Sequence, residues 1–541
     1  MEEKALFADY EDPAFSSASH RGASKHFISK AASSLQPSNA LKLSKRFAYC
    51  FTPQAVRSYC FGDSGPPPKR FPTSYLSGLR GLTALKVFTF HWTFAFSDLG
   101  YKPYGTTERY TYFLELPIIR YIHSGFTAHI FFAVAGYLTS LRLFQILDRH
   151  DQASQTKAFV NISGALFRRA FRLYLPTFII TLLFTHYIHF GFYEHNRPYL
   201  DDHEKLFPGV WQEPKPELMA SYYAQLRYWA SEMFQLTNIF LPTTAYYPFI
   251  DQHLWSILAE MRGSLCLYFV LMATAQCRTY IRLTMLCCMT VLFFLWNHWE
   301  VWIYLLGGIV AQINMIMGDP ESDKDKKSTM GGLLAPPSRS PSTQFIGSSS
   351  GKSSSTSSSA WIQITPPTTL RAYVRTFWFL VAFYFLSYPI WGCEPTETAI
   401  GYQTLNMLIP EWMERKDKFY PNLGTALLLL LLARSYDSTS NWRRLLNSDI
   451  AQYMGKISFG LYLTHGPVLH AVGYMIPQYI WWGMGVEGVD TTNTVWFVVL
   501  FIGWAISLTL CLCVADVWTR EVEGRCVKFV KKIEELCFVR V

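Results

Sequence analysis

Charged residues are scarce in this 541-residue chain: they make up 16% of it, against about 25% in an ordinary soluble protein, while half of it is hydrophobic and 17% aromatic. That balance excludes a set of soluble domains and points to a protein that crosses the membrane many times. A disulfide framework is also missing. The 11 cysteines show no CxxC or Cys/His zinc spacing; Cys266, Cys277, Cys287, Cys288, Cys511 and Cys513 fall in or beside apolar runs, and only Cys393 lies in a loop placed outside the cytosol. The thiols are therefore expected to be mostly buried or reduced, and no structural metal is expected. No apolar h-region with a small-residue cleavage site stands near the start, so no secretory signal peptide is predicted. Nor is there an internal repeat of the kind that marks many secondary transporters. The formal charge of +9 does not imply nucleic-acid binding, because basic cytosolic loops give the same surplus.

What the chain does have is a series of apolar runs, near 76–98, 124–147, 166–190, 255–275, 279–296, 299–317, 372–391, 420–434, 457–480 and 494–518. With about 20 residues to a crossing, these predict an all-α, polytopic transmembrane helical bundle of about ten spans. Basic residues fix its orientation. Arg149, Lys157, Arg168 and Arg169 follow span two, Arg434, Arg443, Arg444 and Lys456 follow span eight, and Arg520, Arg525, Lys528, Lys531 and Lys532 follow span ten. The alternate loops are poor in basic residues or, at 191–254, acidic, which predicts that both termini are cytosolic. Residues 1–70 read as a disordered basic tail, 71–520 as the membrane domain, 318–370 as a Ser-rich cytosolic linker inside it, and 521–541 as a basic C-terminal tail. Span nine is expected to be interrupted at Pro467.

Ionisable residues inside such spans are expensive unless they face a polar cavity, so each is a candidate for function. Arg80 and His91 stand 11 residues apart in the first run. That is about 1100° of helix, three turns plus roughly 20°, so the two share a face about 16 Å apart. Arg169 and Arg172, one turn apart at the expected cytosolic start of span three, form a candidate phosphate clamp. Glu260, in Trp255-Ser256-Ile257-Leu258-Ala259-Glu260, needs a partner, and Arg262, about 200° away around the helix, is poorly placed to be it; a cation from another span is expected. His465 is a second imidazole in a span, beside Gly466-Pro467. The small residues of Phe131 to Tyr137 are expected to pack helices closely.

Together these motifs resemble the integral-membrane acyltransferase-3 family of ten-helix O-acyltransferases. Arg80 and His91 match its Arg-x10-His spacing within a Gly-Leu-Arg-Gly opening, Gly78 to Gly81. Phe131 to Tyr137 is similar to its Phe-Phe-x-x-x-Gly pattern, Arg169, Arg172 and Pro176 to its Arg-x-x-Arg…Pro motif, and Trp255 to Glu260 to its Trp-Ser/Thr-x-x-x-Glu segment. Ser458 to Pro467 matches its late Ser-x-x-Leu-Tyr-Leu-x-His-Gly-Pro stretch. The chain departs from the common family pattern in an extra residue before Pro176 and in Met-Arg-Gly after Glu260, the latter resembling the fungal-type members.

The resemblance implies transfer of an acyl group, most often acetyl, from cytosolic acyl-CoA to a hydroxyl. His91 would be the general base, Glu260 and His465 would support it, and Arg80, Arg169 and Arg172 would bind the coenzyme. No metal is required. The implied partners are acyl-CoA, the lipid bilayer and a hydroxyl-bearing small lipophilic metabolite or glycan. The expected location is the endomembranes or plasma membrane. Two rivals are a proton-coupled transporter or flippase using the same ionisable residues, and an inactive family member serving as a scaffold.

Overall fold

In the computed structural model, residues 70–318, 368–389 and 400–538 are described, short loop stretches excepted, together with Pro53, Gln54 and Arg57. The expected tail 1–70 and linker 318–370 lie almost wholly outside the described residues, as does Cys393. The described residues form helices and connecting turns with no strand. Their cysteines are all unpaired.

A helix occupies each of the ten apolar runs: α1 (Ser74–Phe96), α2 (Ala128–Leu147), α3 (Gln152–His189), α4 (Trp255–Ala273), α5 (Thr279–Leu295), α6 (Trp299–Ile316), α7 (Thr368–Leu386), α8 (Phe419–Ala433), α9 (Asp449–Val468) and α10 (Asn493–Trp518). Five are long and apolar enough to cross a membrane: α2, α3, α4 with the turn before it, α6, and α10 with its extension. Two more, α5 and part of α7, are apolar but shorter. The remaining three have visible reasons. α8 has 15 residues, and α1 and α9 carry charged and imidazole side chains in their interiors.

Three expectations change. The third helix begins well before its arginines: Asp151 caps it by accepting from the Ser154 N–H at 2.6 Å, and no proline stands between that cap and the arginines, so Arg169 and Arg172 lie near the middle of a 38-residue helix rather than at its mouth. At 1.5 Å per residue that helix is about 57 Å long, nearly twice a hydrocarbon core. Second, Pro467 does not interrupt α9. It lies inside the helix, and the hydrogen-bond ladder adjusts just after it, in a π-helical turn at Leu469–Gly473 that leads into Met475–Gly483. Third, residues expected as a C-terminal tail form α11 (Gly524–Cys537), reached from α10 through a second π turn, Thr519–Glu523. This helix buries Cys526 and Val530 and pairs Glu534 with Arg168 of α3.

Apolar packing among the described residues forms four groups, one of them a small aromatic cluster around Tyr388, Tyr402 and Tyr420. The largest joins α2, α6, α7 and α8 around Phe132, Phe144, Leu305, Leu386 and Leu428. A second joins α1, α9 and α10 around Phe88, Trp92, Leu461 and Cys511. A smaller one ties α3 to α4 through Leu173, Ile180, Leu258 and Met261, with Leu463 of α9. Backbones approach closely where the motifs place glycine. A side chain at Gly81 would strike the backbone of Met454 and Gly455, and one at Gly136 would strike the Tyr304 carbonyl. The small residues of α2 thus do pack helices, as expected.

Candidate active site

α1 and α4 run past each other in opposite directions, each carrying one residue of two polar clusters. The lower cluster is cationic. Arg169 Nη2 donates to Glu260 Oε1 at 2.8 Å and to the Tyr304 hydroxyl at 2.9 Å. The cation that Glu260 requires from another span is thus Arg169. Arg262 turns away and pairs with Glu300 at 2.7 Å, also donating to the Ile239 carbonyl at 2.8 Å. Arg80 feels the charges of Glu260, Glu523 and Arg169, and Arg172 feels those of Arg169 and Arg80. Arg80 is half-buried and Arg172 is exposed, so the cluster opens to a solvent-reachable space. Three guanidinium groups share it with the carboxylates of Glu260 and Glu523.

The upper cluster is built from imidazoles. Asp251 Oδ1 accepts from the His253 backbone N–H at 3.1 Å, capping the short 3-10 turn Gln252–Leu254 that opens into α4. The same oxygen lies 2.6 Å from His253 Nδ1. On its other side, His253 Nε2 is 3.0 Å from His91 Nδ1. The His465 ring completes the group, 5.2 Å from His91 and 4.6 Å from His253 between ring centres. Gly466 makes room for this: a β-carbon there would stand 2.6 Å from His253 Nδ1 and 2.9 Å from Asp251 Oδ1. His465 Nδ1 donates to the Tyr462 carbonyl at 2.7 Å, and its Nε2 is buried with no hydrogen-bond partner.

Glu213, from the acidic 191–254 stretch, closes the cluster from outside the spans, 3.3 Å from His470 Nε2 and 3.6 Å from His253 Nε2. Burial pushes its carboxyl up, whereas the His470 imidazole hydrogen-bonded to it pulls it down, leaving it below the usual carboxylate range. Between the two clusters, the Ser256 hydroxyl is 2.7 Å from that of Tyr462, which donates to the His253 carbonyl. His253 and Glu260 are seven residues apart, about 10 Å of helix, so cationic and imidazole clusters are stacked along one line.

The structure thus gathers Arg80, Arg169, Arg172 and Glu260 in one cluster, and His91 and His465 in the other. Sequence reasoning missed Asp251, His253, Glu213 and His470. Asp-x-His directly before the Trp-Ser segment was a usable signal for the first two; Glu213 lies in an irregular stretch with none. The nitrogens of His91, His253 and His465 lie within 4.8 Å of one another, a spacing at which imidazoles can also bind a divalent ion. Here the His91–His253 hydrogen bond already engages one nitrogen of each ring.

A half-buried imidazole backed by a second imidazole and a carboxylate, above a cationic pocket, suits proton transfer at a substrate carrying anionic groups. The Acyltransferase domain family matches residues 73–515 of this chain, spanning both clusters. This chain belongs to the acyltransferase-3 family. The acyltransferase is similar to an O-acetyltransferase of Phomopsis amygdali, 26% identical over 430 residues covering 75% of this chain and 73% of the relative. It is also similar to acyltransferases of Cochliobolus lunatus and of a Phoma species, both 23% identical, over 88% and 81% of this chain and 98% and 92% of theirs. No solved structure matches the acyltransferase. Its relatives are fungal, in keeping with the Met-Arg-Gly that follows Glu260.

Proposed function

We propose that this acyltransferase crosses the membrane ten times with both termini cytosolic, and moves an acyl group, acetyl in the first instance, from cytosolic acyl-CoA to a hydroxyl. The observation that carries this reading is the stacking of the two clusters, with guanidinium groups around a solvent-reachable space and a poised imidazole farther along α1. Arg80 and Arg172 meet the coenzyme phosphates; Arg169, held by Glu260 and Tyr304, lends its charge from behind. The thioester arm extends past Ser256 and Tyr462 toward His91.

His91 takes the proton of the acceptor hydroxyl as the oxygen attacks the thioester carbon. When the carbon–sulfur bond breaks, the thiolate recovers that proton from His91, so no proton is gained or lost overall. His465 offers its bare Nε2 as a second acceptor that holds the incoming hydroxyl group. The acceptor is a small lipophilic alcohol or a glycan hydroxyl; the printed name of one fungal relative, an O-acetyltransferase, supports a hydroxyl as the target. Purified protein incubated with labelled acetyl-CoA should transfer the label to an alcohol acceptor, or slowly to water. Flux of a solute across vesicles with no acyl turnover would instead favour transport.

A further inference from the structure

The hydrogen bonds behind His91 decide which of its nitrogens carries the proton. A carboxylate can only accept, so the 2.6 Å contact between Asp251 Oδ1 and His253 Nδ1 places a hydrogen on that nitrogen. The Glu213 carboxylate, 3.6 Å from His253 Nε2, lies beyond hydrogen-bond reach; with His253 in its neutral form Nε2 therefore presents a lone pair, and the 3.0 Å contact there is donated by His91 Nδ1. No proton remains for His91 Nε2, which is left as a bare, basic nitrogen. His465 cannot reverse this, because its own N–H is spent on the Tyr462 carbonyl. We propose that Asp251 and His253 are positioning residues for acyl transfer, holding His91 in the Nδ1–H tautomer with Nε2 turned to the acceptor hydroxyl.

This rests on the reading of His91 as the base. Asp251 is 6% exposed and His253 4%, so water does not compete for either contact. Both are fixed locally as well, since the oxygen that orients the ring also caps the turn carrying it. When His91 becomes an imidazolium during transfer, its Nδ1–H points at a nitrogen made more electron-rich by the carboxylate behind it. The pair therefore steadies the charged intermediate besides setting the tautomer, and the acyl group never leaves the line between thioester and hydroxyl.

The test compares Asp251→Asn with Asp251→Ala. A carboxamide can turn its NH2 toward His253 Nδ1, which sends the His253 proton to Nε2, makes His91 Nδ1 the acceptor and forces the His91 proton onto Nε2. Asp251→Asn should therefore lower kcat by about 10²- to 10⁴-fold with the KM for acyl-CoA within about twofold, and be at least as harmful as Asp251→Ala. If Asp251 served only to cap and pack, the order would reverse, because Asn is nearly isosteric and a good cap. Asp251→Asn within threefold of wild-type kcat, or milder than Asp251→Ala, would overturn the proposal.

Should the Asp251 variants not accumulate, the comparison moves to His253. His253→Gln keeps an amide oxygen to accept from His91 Nδ1, whereas His253→Leu does not. Gln should retain at least tenfold more turnover than Leu, and equal turnover overturns the proposal. His91→Ala separates the two levels. If it stays active, the base assignment itself falls; if it is dead while Asp251→Asn is normal, only the positioning role falls.

Discussion

His91 and Arg172 mark the two ends of the proposed reaction path, and their variants should fail in different ways. His91→Ala should lose about 10²- to 10⁴-fold in turnover while coenzyme binding persists, with His91→Gln no better because an amide cannot take the proton. Single-turnover transfer alongside CoA binding checks this, and a His91→Ala enzyme keeping more than a tenth of wild-type turnover would refute it. Arg172→Lys replaces a planar fork by a point charge, so it should raise KM for acyl-CoA more than it lowers saturated turnover. Charge-assisted hydrogen bonds are worth about 1.5–3 kcal/mol, or roughly tenfold to 150-fold in affinity, which bounds the effect. Arg169→Ala should differ in also releasing Glu260 and Tyr304, so a lower unfolding temperature should accompany its weaker donor binding. Chelators should leave turnover unchanged, because one nitrogen each of His91 and His253 is engaged in their mutual bond; a loss restored by added zinc would count against the base role of His91. Each of these residues except His253 and Tyr304 was legible in the sequence, being ionisable and out of place in an apolar run. His253 and Asp251 were overlooked despite their Asp-x-His spacing, because they sit where a polar loop meets a helix and polar residues are ordinary there. Only the fold reveals that this junction faces His91 in the C-terminal part of α1.

The elements meet at glycines, and that is where substitution should act on geometry rather than chemistry. Gly455→Ala would drive a methyl group into the Ser77 backbone, and because backbone cannot swing aside the strain should cost about 1–3 kcal/mol or more, read as a lower unfolding temperature in detergent. Gly466→Ala meets side chains instead, those of His253 and Asp251, so it should displace the dyad and depress kcat with a smaller effect on stability. An active Gly466→Ala enzyme would mean that the imidazole cluster tolerates rearrangement. Helix existence was readable from hydropathy at every one of the ten runs, but helix ends were not. The start of α3 was hidden because residues 152–165 are polar enough to read as loop while having nothing to break a helix once Asp151 caps it. The turn after Pro467 was misread as a break because sequence cannot tell a lost hydrogen bond from one passed to the next residue in a π turn.

For the whole molecule, the Ser-rich linker joins two parts that already touch through α2, α6 and α8, so deleting residues 325–360 should leave insertion and turnover near normal in detergent-purified protein. Loss of turnover with intact folding would make that segment a working part. The all-helical architecture was legible because lipid demands helices. The spans were hardest to read at α8, which has only 15 residues, and at α9, which carries Pro467 inside it. The contact between Gly81 and Gly455 has a consequence for biosynthesis. A ribosome releases α1 into the bilayer several hundred residues before the helix that shelters its polar face is made. Until α9 arrives, Arg80 and His91 must be tolerated by lipid, an interim partner or an insertion chaperone, at a price in free energy that only the finished chain recovers. Nascent protein arrested before α9 should therefore be short-lived in the cell, and quality control would act on this enzyme chiefly during that interval.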